Sequence, residues 1–412
     1  MSDMESVESF RLRAREWLAA NLPKASSEGR SSHASTEDFY RHIRQLQRRL
    51  WDGGFAGIAW PAEYGGQGLT PAHQRAFTEE CAGYEMPTPF NVPTFGILAA
   101  TLLEFGTHEQ KLRHIPAILK GDELWVQFLS EPSGGSDLAG CLTRADRDGD
   151  VFIMNGSKIW SSSAMVSDYA MCLARTNWDV PKHRGLTMFI MKIHQPGVEV
   201  VPIQMTSGEA EFCQEFFTDV PIPASDVVGA IDDGWNVASR LLMHERIAVG
   251  GASPYTSGAA LSRNSDAADP TIPRVVRELG LGSDPAIRQL VAEHHVEELA
   301  SKHLAKRITA GMAAGEMPPA SGSLLKLSHA MHVVNLSRIA VEIAGSAAAT
   351  GAHDSVSRLV GESSLGRQGL SLGGGSNEIQ RNIISERVLG MPREWAGDSD
   401  IPYKDVRRER AR

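Results

Sequence analysis

Apolar residues recur at every third or fourth position through the early part of the chain, which is the spacing of one face of an α-helix. Two amphipathic helices are predicted there, the first marked by Phe10, Ala14, Trp17 and Leu18 and the second by Phe39, Ile43, Leu46 and Leu50. Pro23 ends the first helix, and Gly53-Gly54 closes the second. The Ser-rich stretch between them, residues 26–36, is predicted to be a mobile connection, and helical patterning resumes from Thr70 to about Lys120.

The pattern changes near Glu123, where short runs rich in β-branched and aromatic residues alternate with turn residues. The first run, residues 151–160, follows the turn-like DRDGD, and its own Asn155-Gly156 is a strong hairpin signal. Four further runs, YAMCLART, GLTMFIMKI, GVEVVPI and AEFCQEFFTDV, are each bounded by Gly, Pro or Asp. This part of the chain predicts a β domain of roughly 100 residues.

Helical spacing returns from Gly234 onward. The stretch from Arg263 to Asp284 contains Asp, Pro and Gly and is predicted to be a loop. A last helix is predicted from Asn377 to about Leu389, followed by a charged tail whose end is expected to fray. Helix, β and helix in that order argue against a doubly wound nucleotide-binding fold, in which strands and helices alternate.

Composition narrows the class of protein. The chain has 412 residues, 42% of them apolar and 22% charged, as expected of a globular protein built from two or three packed units. A net charge of −9 disfavours nucleic-acid binding. No apolar run approaches the ~18 residues of a membrane span, and the acidic N-terminus does not resemble a secretory signal. The four cysteines are scattered, so we expect buried, reduced thiols in a cytoplasmic protein and no structural metal.

Two hydroxyl-bearing loops beside the predicted β domain are the strongest candidates for chemistry. Ser130 starts a turn with Glu131-Pro132, and the GGSD run that follows exposes backbone donors. About twenty residues later, NGSKIWSSSA presents a second set of hydroxyls. Small hydroxyl residues beside bare backbone suit a flat ligand with a polar edge that must approach closely.

Five ordered motifs together resemble the acyl-CoA dehydrogenase family. They are WPAEYGGQGLT near the N-terminus, Gly106-Thr107 with Gln110-Lys111, Ser130-Glu131-Pro132 with Gly135-Ser136-Asp137, Asn155-Gly156 with Lys158 and Trp160, and GSNEIQRNIISERVLG near the C-terminus. The resemblance spans nearly the whole chain, and the five motifs in this order are together highly specific.

The resemblance implies an α+β multidomain fold. An N-terminal α-helical domain (1–124), a central β-barrel-like domain (125–231) and a C-terminal four-helix-bundle domain (232–398) are expected, followed by a charged tail (399–412). It also implies FAD as the cofactor, an acyl-CoA thioester as the substrate and an electron-transferring flavoprotein as the acceptor. The expected assembly contains four chains, of one kind or of two.

Residue by residue, the resemblance assigns a flavin site to the β domain. Leu129, through its backbone, and Ser130 would bind the pyrimidine end of the flavin. Ser162 would bind near flavin N5, and Trp160 would lie against the isoalloxazine ring. Gln127 stands where several members of the family have an aromatic residue, and is assigned to the cofactor as well.

Further ligand contacts are implied outside that face. Ser136 would contact the CoA arm, while Gly375, Ser376 and Glu378 match positions that touch FAD, often from a neighbouring subunit. For Ser136 and Glu378, a helix cap or a solvated surface is nearly as good an interpretation.

The catalytic base is the main departure from the family pattern. Most members carry a Glu where this chain has Gly374. A minority branch places its Glu in the motif L-x-x-E-R, and here LLMHERIAVGG supplies Glu245, with Arg246 assigned to the substrate. Leu241, Leu242, Ala248 and Val249 surround Glu245 at helical spacing, so its carboxylate is either functional or held in a structural ion pair.

Two other departures leave the mode of flavin binding open. The arginine segment that commonly grips the FAD diphosphate is represented at best by Arg277, and Glu342 stands where many relatives have Gln. The alternatives to a dehydrogenase are therefore a non-catalytic partner subunit of a two-chain enzyme, or a flavin oxidase or monooxygenase on the same fold.

Overall fold

The computed structural model describes residues 4–25, 35–249, 253–256, 271–350 and 356–406. The chain divides into two compact units. The first comprises residues 1–204, 210–264 and 396–412, and the second comprises residues 205–209 and 265–395. Most of the predicted Ser-rich connection, residues 26–34, lies outside the described residues, and the domain boundaries drawn from the sequence stay predictions.

The first unit begins with helices that bury the apolar faces read from the sequence. They are α1 (Val7–Asn21), α2 (Thr36–Asp52), α3 (Pro71–Glu80), a π-helical segment (Phe90–Ala99) running into α4 (Ala100–Phe105), and α5 (His108–Lys120). Phe10, Ala14 and Leu18 of α1 are fully buried, and Gly53 caps α2 as predicted. Short 3-10 turns connect or follow these helices and the strands, at Ala62–Tyr64, Leu138–Gly140, Ala164–Val166, Lys182–Arg184, Ala224–Asp226 and Tyr403–Asp405.

A mixed sheet of eight strands forms the rest of the scaffold. Its strands are β1 (Trp125–Phe128), β2 (Arg144–Asp148), β3 (Val151–Ser162), β4 (Tyr169–Arg175), β5 (Leu186–Lys192), β6 (Val198–Pro202), β7 (Phe212–Pro223) and β8 (Val227–Val228). Their order is β6-β7-β3-β2-β4-β5-β8, with β1 parallel to β4. The predicted β domain and its run of strands are confirmed.

The hairpin predicted at Asn155-Gly156 is wrong. Both residues lie inside β3, and the chain turns instead at the DRDGD signal, between Asp148 and Val151. Gly156 marks a register shift in the pairing of β3 with β7 and has φ 146°. A Cβ there would sit 2.7 Å from Thr143, so glycine is needed for a bulge and a close approach rather than for a turn.

Helix α6 (Gly234–Val249) follows the sheet and packs on the first unit's helices. A Cβ on Gly96 of the π-helical segment would lie 2.6 Å from the Cβ of Ala248, so only glycine permits this close helix approach. At the other end of α6, a Cβ on Gly234 would meet the backbone of Thr187 in β5 at 2.6 Å. The helix is therefore fixed against both the helical layer and the sheet.

The second unit is helical. It contains α7 (Thr271–Glu278), α8 (Pro285–Ala313), a 3-10 turn (Pro319–Ser321), α9 (Gly322–Ala344), α10 (Ala347–Thr350), α11 (Val356–Gly366), α12 (Gly369–Leu372), α13 (Asn377–Ile383) and a π-helical turn (Ile384–Val388). The predicted loop from Arg263 to Asp284 is wrong at α7, because Ile272 and Val275 are buried in one cluster with Ile339 and Ile343. Residues 257–270 lie outside the described residues.

Three global observations complete the fold. All four cysteines are buried and free, as predicted. Within the described ranges, no helix is long and apolar enough to cross a membrane. In the same ranges, no group of three or more His, Cys, Asp or Glu residues is arranged to hold a metal ion.

Candidate active site

The loop after β1 makes the turn predicted at Ser130. The Glu131 N–H donates to the Gly134 carbonyl at 3.1 Å, and the Gly134 N–H donates back to the Glu131 carbonyl at 2.9 Å. The Ser130 carbonyl accepts from the Ile159 N–H at 2.9 Å, which joins the loop to β3. We refer to residues 130–141 as the site loop.

A buried ion pair fixes the base of the site loop. Lys158 Nζ lies 2.9 Å from Glu131 Oε1, and both side chains are buried. The Glu131 carboxylate also accepts from the backbone N–H groups of Leu142 (2.7 Å) and Thr143 (2.8 Å). Burial opposes ionisation of Glu131, but the Lys158 charge and these donors hold its pKa at about 2. The pair is therefore charged at neutral pH.

Lys158 connects this pair to the predicted flavin contacts. Its ammonium donates a second hydrogen bond to the Leu129 carbonyl at 3.0 Å. The backbone of Leu129 is thus held by a buried cation, which orients the peptide assigned to the flavin pyrimidine. Lys158 and Glu131 belong to motifs read from the sequence, but their positioning role was not predicted. The sequence did contain a signal for this role. Side chains alternate between the two faces of a strand, and Lys158 falls on the same face as the buried Phe152 and Met154.

The end of β3 carries three serines whose side chains point in different directions. Ser161 is buried and donates to Glu215, and Ser163 is buried with its hydroxyl 2.5 Å from the hydroxyl of Tyr40. Ser162, between them, is exposed. The two inward bonds leave Ser162 as the hydroxyl that faces outward.

Trp160, two residues before Ser162, is also exposed and has a strained backbone conformation. Its φ is 69°, which is rare for a bulky residue, and it sits at the second register shift of β3. The indole is 56% exposed and makes an edge contact with Phe212, with 5.9 Å between ring centroids. A large aromatic ring displayed beside Ser162 suits a planar ligand.

Gln127, which the resemblance assigns to the cofactor, provides a test of whether the residues present fit a polar ligand. Its Oε1 is buried, and no hydrogen-bond partner for that atom is found among the described residues. A buried amide oxygen without a donor is costly, by about 1–3 kcal/mol. A ligand N–H would satisfy it, so the residues present fit a flavin edge.

Glu215 is a buried carboxylate that sequence reasoning did not identify. It lies opposite Lys158 in the pairing of β7 with β3, accepts the Ser161 hydroxyl, and leaves Oε2 without a hydrogen-bond partner among the described residues. Burial raises its pKa to about 7. Its isolated position in β7 gave no local signal, because the contact with Ser161 joins residues 54 positions apart.

Glu245 lies on α6, and its side chain is half-buried. Of its predicted apolar neighbours, Leu241 and Ala248 are buried and Leu242 is partly buried, while the side chain of Val249 lies outside the described set. The preceding turn of α6 is held by Glu104 of α4, which contacts Arg240 at 2.7 Å and His244 at 3.2 Å. Arg246 is exposed.

A small cavity of about 20 Å³ lies within the helical layer of the first unit. It is lined by Gln47, Leu50, Phe55, Ala56, Gly57, Trp60, Gln74, Met86, Asn91, Phe95, Leu119 and Tyr255. A volume of this size holds about one water molecule and is too small for an acyl group.

In the second unit, the C-terminal motif forms the start of α13. Gly375 has φ 87°, and the Ser376 hydroxyl caps the helix by accepting from Ile379 N at 3.3 Å. Glu378 is exposed, with an ion pair to Arg381 at 3.4 Å. Glu342 pairs at 2.9 Å with Arg338, which also pairs with Glu293, and Arg277 is exposed. The roles assigned to Gly375, Ser376 and Glu378 stay predictions.

Comparison with known proteins identifies the family. Three family models match: the acyl-CoA dehydrogenase N-terminal domain over residues 4–122, the middle domain over 127–220 and the C-terminal domain over 232–389. Acyl-CoA dehydrogenase IpdE1 of Mycobacterium tuberculosis is 37% identical, with 96% of this chain and 100% of the relative covered. IpdE1 of Mycolicibacterium smegmatis is 35% identical over the same shares.

Solved structures agree. The ChsE4-ChsE5 complex from Mycobacterium tuberculosis matches with a TM-score of 0.71 and 28% identity, covering 96% of this chain and all of that one. The Tcur3481-Tcur3483 steroid ACAD matches with a TM-score of 0.72 at 28% identity over the same shares. Sequence motifs, fold and relatives therefore agree that the chain belongs to the acyl-CoA dehydrogenase family, whose members are oxidoreductases acting on CH–CH groups.

Proposed function

We propose that this chain binds FAD on the face formed by Leu129, Ser130, Trp160 and Ser162, and dehydrogenates an acyl-CoA thioester between its α and β carbons. The observations that carry the proposal are the exposed Trp160 and Ser162 of β3 and, in β1, the buried oxygen of Gln127, which has no hydrogen-bond partner among the described residues. Bound there, the flavin would supply the acceptor for the two electrons that leave the substrate.

The protein's own contribution on this face is to hold polar groups in place before the ligand arrives. The Lys158 ammonium orients the Leu129 carbonyl, and the inward bonds of Ser161 and Ser163 direct Ser162 outward. Groups fixed in this way do not reorganise when the ligand binds, so their hydrogen bonds favour it more strongly.

Glu245 is proposed as the base that removes the α proton. The reaction needs a carboxylate on a rigid support, and α6 is rigidly packed by Gly96 against Ala248 and by the contacts of Glu104. The buried Leu241 and Ala248 lie four residues before and three residues after Glu245, on the same face of α6. The Gly374 position, where most of the family has its base, has no side chain to compete for this role.

The relatives support a finer proposal about substrate and assembly. One matching structure is described as a steroid ACAD, and another is a complex of two different chains. By analogy, we expect a steroid-type CoA thioester as substrate and a tetramer with a second kind of chain. An electron-transferring flavoprotein as acceptor and a cytoplasmic location belong to the same proposal.

The test is an anaerobic titration of the flavin absorbance with short, branched, long and steroid-type CoA thioesters. The wild-type protein should bleach with one class, and Glu245→Gln should bleach at least about a hundredfold more slowly while retaining its flavin. Glu199→Gln, an exposed position on β6, is the matched control and should behave as wild type. Full activity of Glu245→Gln would exclude Glu245 as the base.

Two other outcomes separate the alternative functions. A colourless protein that gains flavin and activity only when produced with a second chain, and whose activity is insensitive to Glu245→Gln, would identify a non-catalytic partner subunit. Release of hydrogen peroxide in step with substrate consumption would identify an oxidase.

A further inference from the structure

The C-terminal tail returns to the β sheet and docks beside the site loop. Within the first unit, the backbone N–H groups of Tyr403 and Lys404 donate to the carbonyls of Val180 (2.9 Å) and Trp178 (3.0 Å). The ring of Tyr403 stacks on Trp178, with 5.7 Å between centroids, and its side chain is buried. We call residues 398–406 the C-terminal strap.

The strap contacts the site loop directly. The Tyr403 hydroxyl donates to the Gly140 carbonyl, 263 positions earlier in the chain. Lys182 lies between the two segments, with its ammonium 3.2 Å from Asp137 of the loop and 3.0 Å from Asp398 of the strap. One neutral hydrogen bond and one bridging cation therefore join the last residues of the chain to the loop that carries Ser136.

Arg175 links the Tyr403 ring to the backbone of the site loop. Its guanidinium is fully buried at the end of β4 and donates to the carbonyls of Ala139 (2.6 Å) and Cys141 (3.1 Å) in the site loop. It also donates to the Lys182 carbonyl at 3.1 Å. The Tyr403 ring covers the cation, with 3.7 Å from the guanidinium carbon to the ring centroid. Removing the ring would hydrate Arg175 and weaken its bonds to the loop.

We propose that Tyr403 is a positioning residue for the bound CoA thioester, acting through Arg175 and the site loop. The inference depends on the proposed function, because it assumes that Ser136 on this loop contacts a diphosphate-bearing ligand. CoA and FAD both carry a diphosphate, and we assign the CoA arm. The strap fixes the 137–141 end of the loop, whereas the Lys158–Glu131 pair fixes its beginning.

The measurement is steady-state kinetics of the full-length flavin-loaded enzyme with the acyl-CoA found in the bleaching screen. Tyr403→Ala should raise KM roughly tenfold with kcat changed less than about twofold, because it loses a hydrogen bond and a cation–π contact. Tyr403→Phe keeps the ring over Arg175 and should raise KM only about threefold. Asp405→Asn, in the same turn without a contact to the loop, is the control and should match wild type.

Hydrogen exchange provides a readout that does not need turnover. The Gly140 and Cys141 amides donate to Asp137 (2.8 Å) and Leu138 (3.2 Å), and should exchange roughly tenfold faster in Tyr403→Ala than in wild type or Asp405→Asn. Failure of every thioester to bleach the flavin would leave this exchange result intact and would count against the proposed function alone.

Three results would overturn the positioning role. Unchanged exchange and unchanged KM in Tyr403→Ala would mean that the strap does not control the loop. A fall in kcat as large as the rise in KM, together with a lowered melting temperature that Tyr403→Phe does not restore, would mean that Tyr403 has only a structural role. A weaker affinity for FAD with an unchanged KM would move the diphosphate contact from CoA to the flavin and contradict our assignment.

Discussion

The site loop and the C-terminal motif are both predicted to touch the flavin, yet the protein holds them in very different ways. The site loop is fixed by a fully buried ion pair and by backbone bonds to Glu131. The motif that begins α13 is held by one N-cap bond from Ser376 and by Gln380, whose amide donates to the Gly374 and Gly375 carbonyls at 3.2 Å. Leu372, just before the motif, and Leu389, near its end, are each 67% exposed.

The difference indicates how the two regions are specified. Several contacts within this chain hold the site loop in place. We therefore expect the loop to keep its position when no partner chain is bound. The motif carries its predicted contacts at the start of a short helix, and exposed leucines lie on either side of that helix in the sequence. Ligand contacts of that kind are the ones that depend on additional protein surface.

The largest expected effect is loss of the buried ion pair. Lys158→Met leaves Glu131 as an uncompensated buried charge, and the free energy of unfolding should fall by about 3–5 kcal/mol. Urea unfolding measures this change, with Lys192→Met, an exposed lysine of β5, as the control. Adding Glu131→Gln to Lys158→Met removes the uncompensated carboxylate charge and should recover part of the lost stability. A double variant no more stable than Lys158→Met would show that the unpaired charge is not the cause of the loss.

Glu215 should make the stability of the same region depend on pH. Its pKa is raised from the ordinary 4.5 to about 7 by burial, so ionisation is more favourable in the unfolded chain than in the folded one. Stability from this group is complete below pH 4.5 and is lost as the pH rises through about 7. The ionisable groups that face it are Lys158, Cys172 and Cys213.

Glu215→Gln removes that titration while preserving an acceptor for Ser161. Relative to wild type, the variant should be more stable at pH 8 than at pH 5 by about 1–3 kcal/mol, as measured by urea unfolding at both values. An equal difference between variant and wild type at the two pH values would show that Glu215 does not titrate in this range.

The smallest effect is expected in the C-terminal motif. Ser376→Ala removes the N-cap of α13 and should lower the free energy of unfolding of the second unit by about 1 kcal/mol. Ser283→Ala, an exposed serine before α8, is the control for thermal unfolding. If Ser376→Ala lowered the free energy of unfolding as much as Lys158→Met does, the C-terminal motif would be held as firmly as the site loop.

Local patterns were sufficient for most of the fold. The capping box of Thr107 and Gln110 begins α5, and the runs of β-branched residues became β4, β5 and β7. The Asn155-Gly156 signal failed because a bulge, like a tight turn, selects glycine. Helix α7 was missed because its Pro273 and the surrounding polar residues resemble a loop when the buried pair Ile272 and Val275 is not recognised.

The site was predicted less completely, for a physical reason. Motifs identified the exposed Trp160 and Ser162 of β3 and the half-buried Ser130, whose carbonyl is bonded to the Ile159 N–H of the same strand. The residues that support this face act over long separations: 27 positions between Glu131 and Lys158, and 263 between Gly140 and Tyr403. No local periodicity reports a partner at that distance, so their roles became visible only in the folded chain.

The burial of the cysteines has a practical consequence for labelling the protein. Burial raises the pKa of Cys141 to about 11 and that of Cys172 to about 12, and it also raises those of Cys81 and Cys213. Because the thiolate is the reactive form, maleimide or alkylating probes should leave the native thiols unmodified. A single cysteine introduced on the surface can then carry a spin label or a fluorophore without any background substitution.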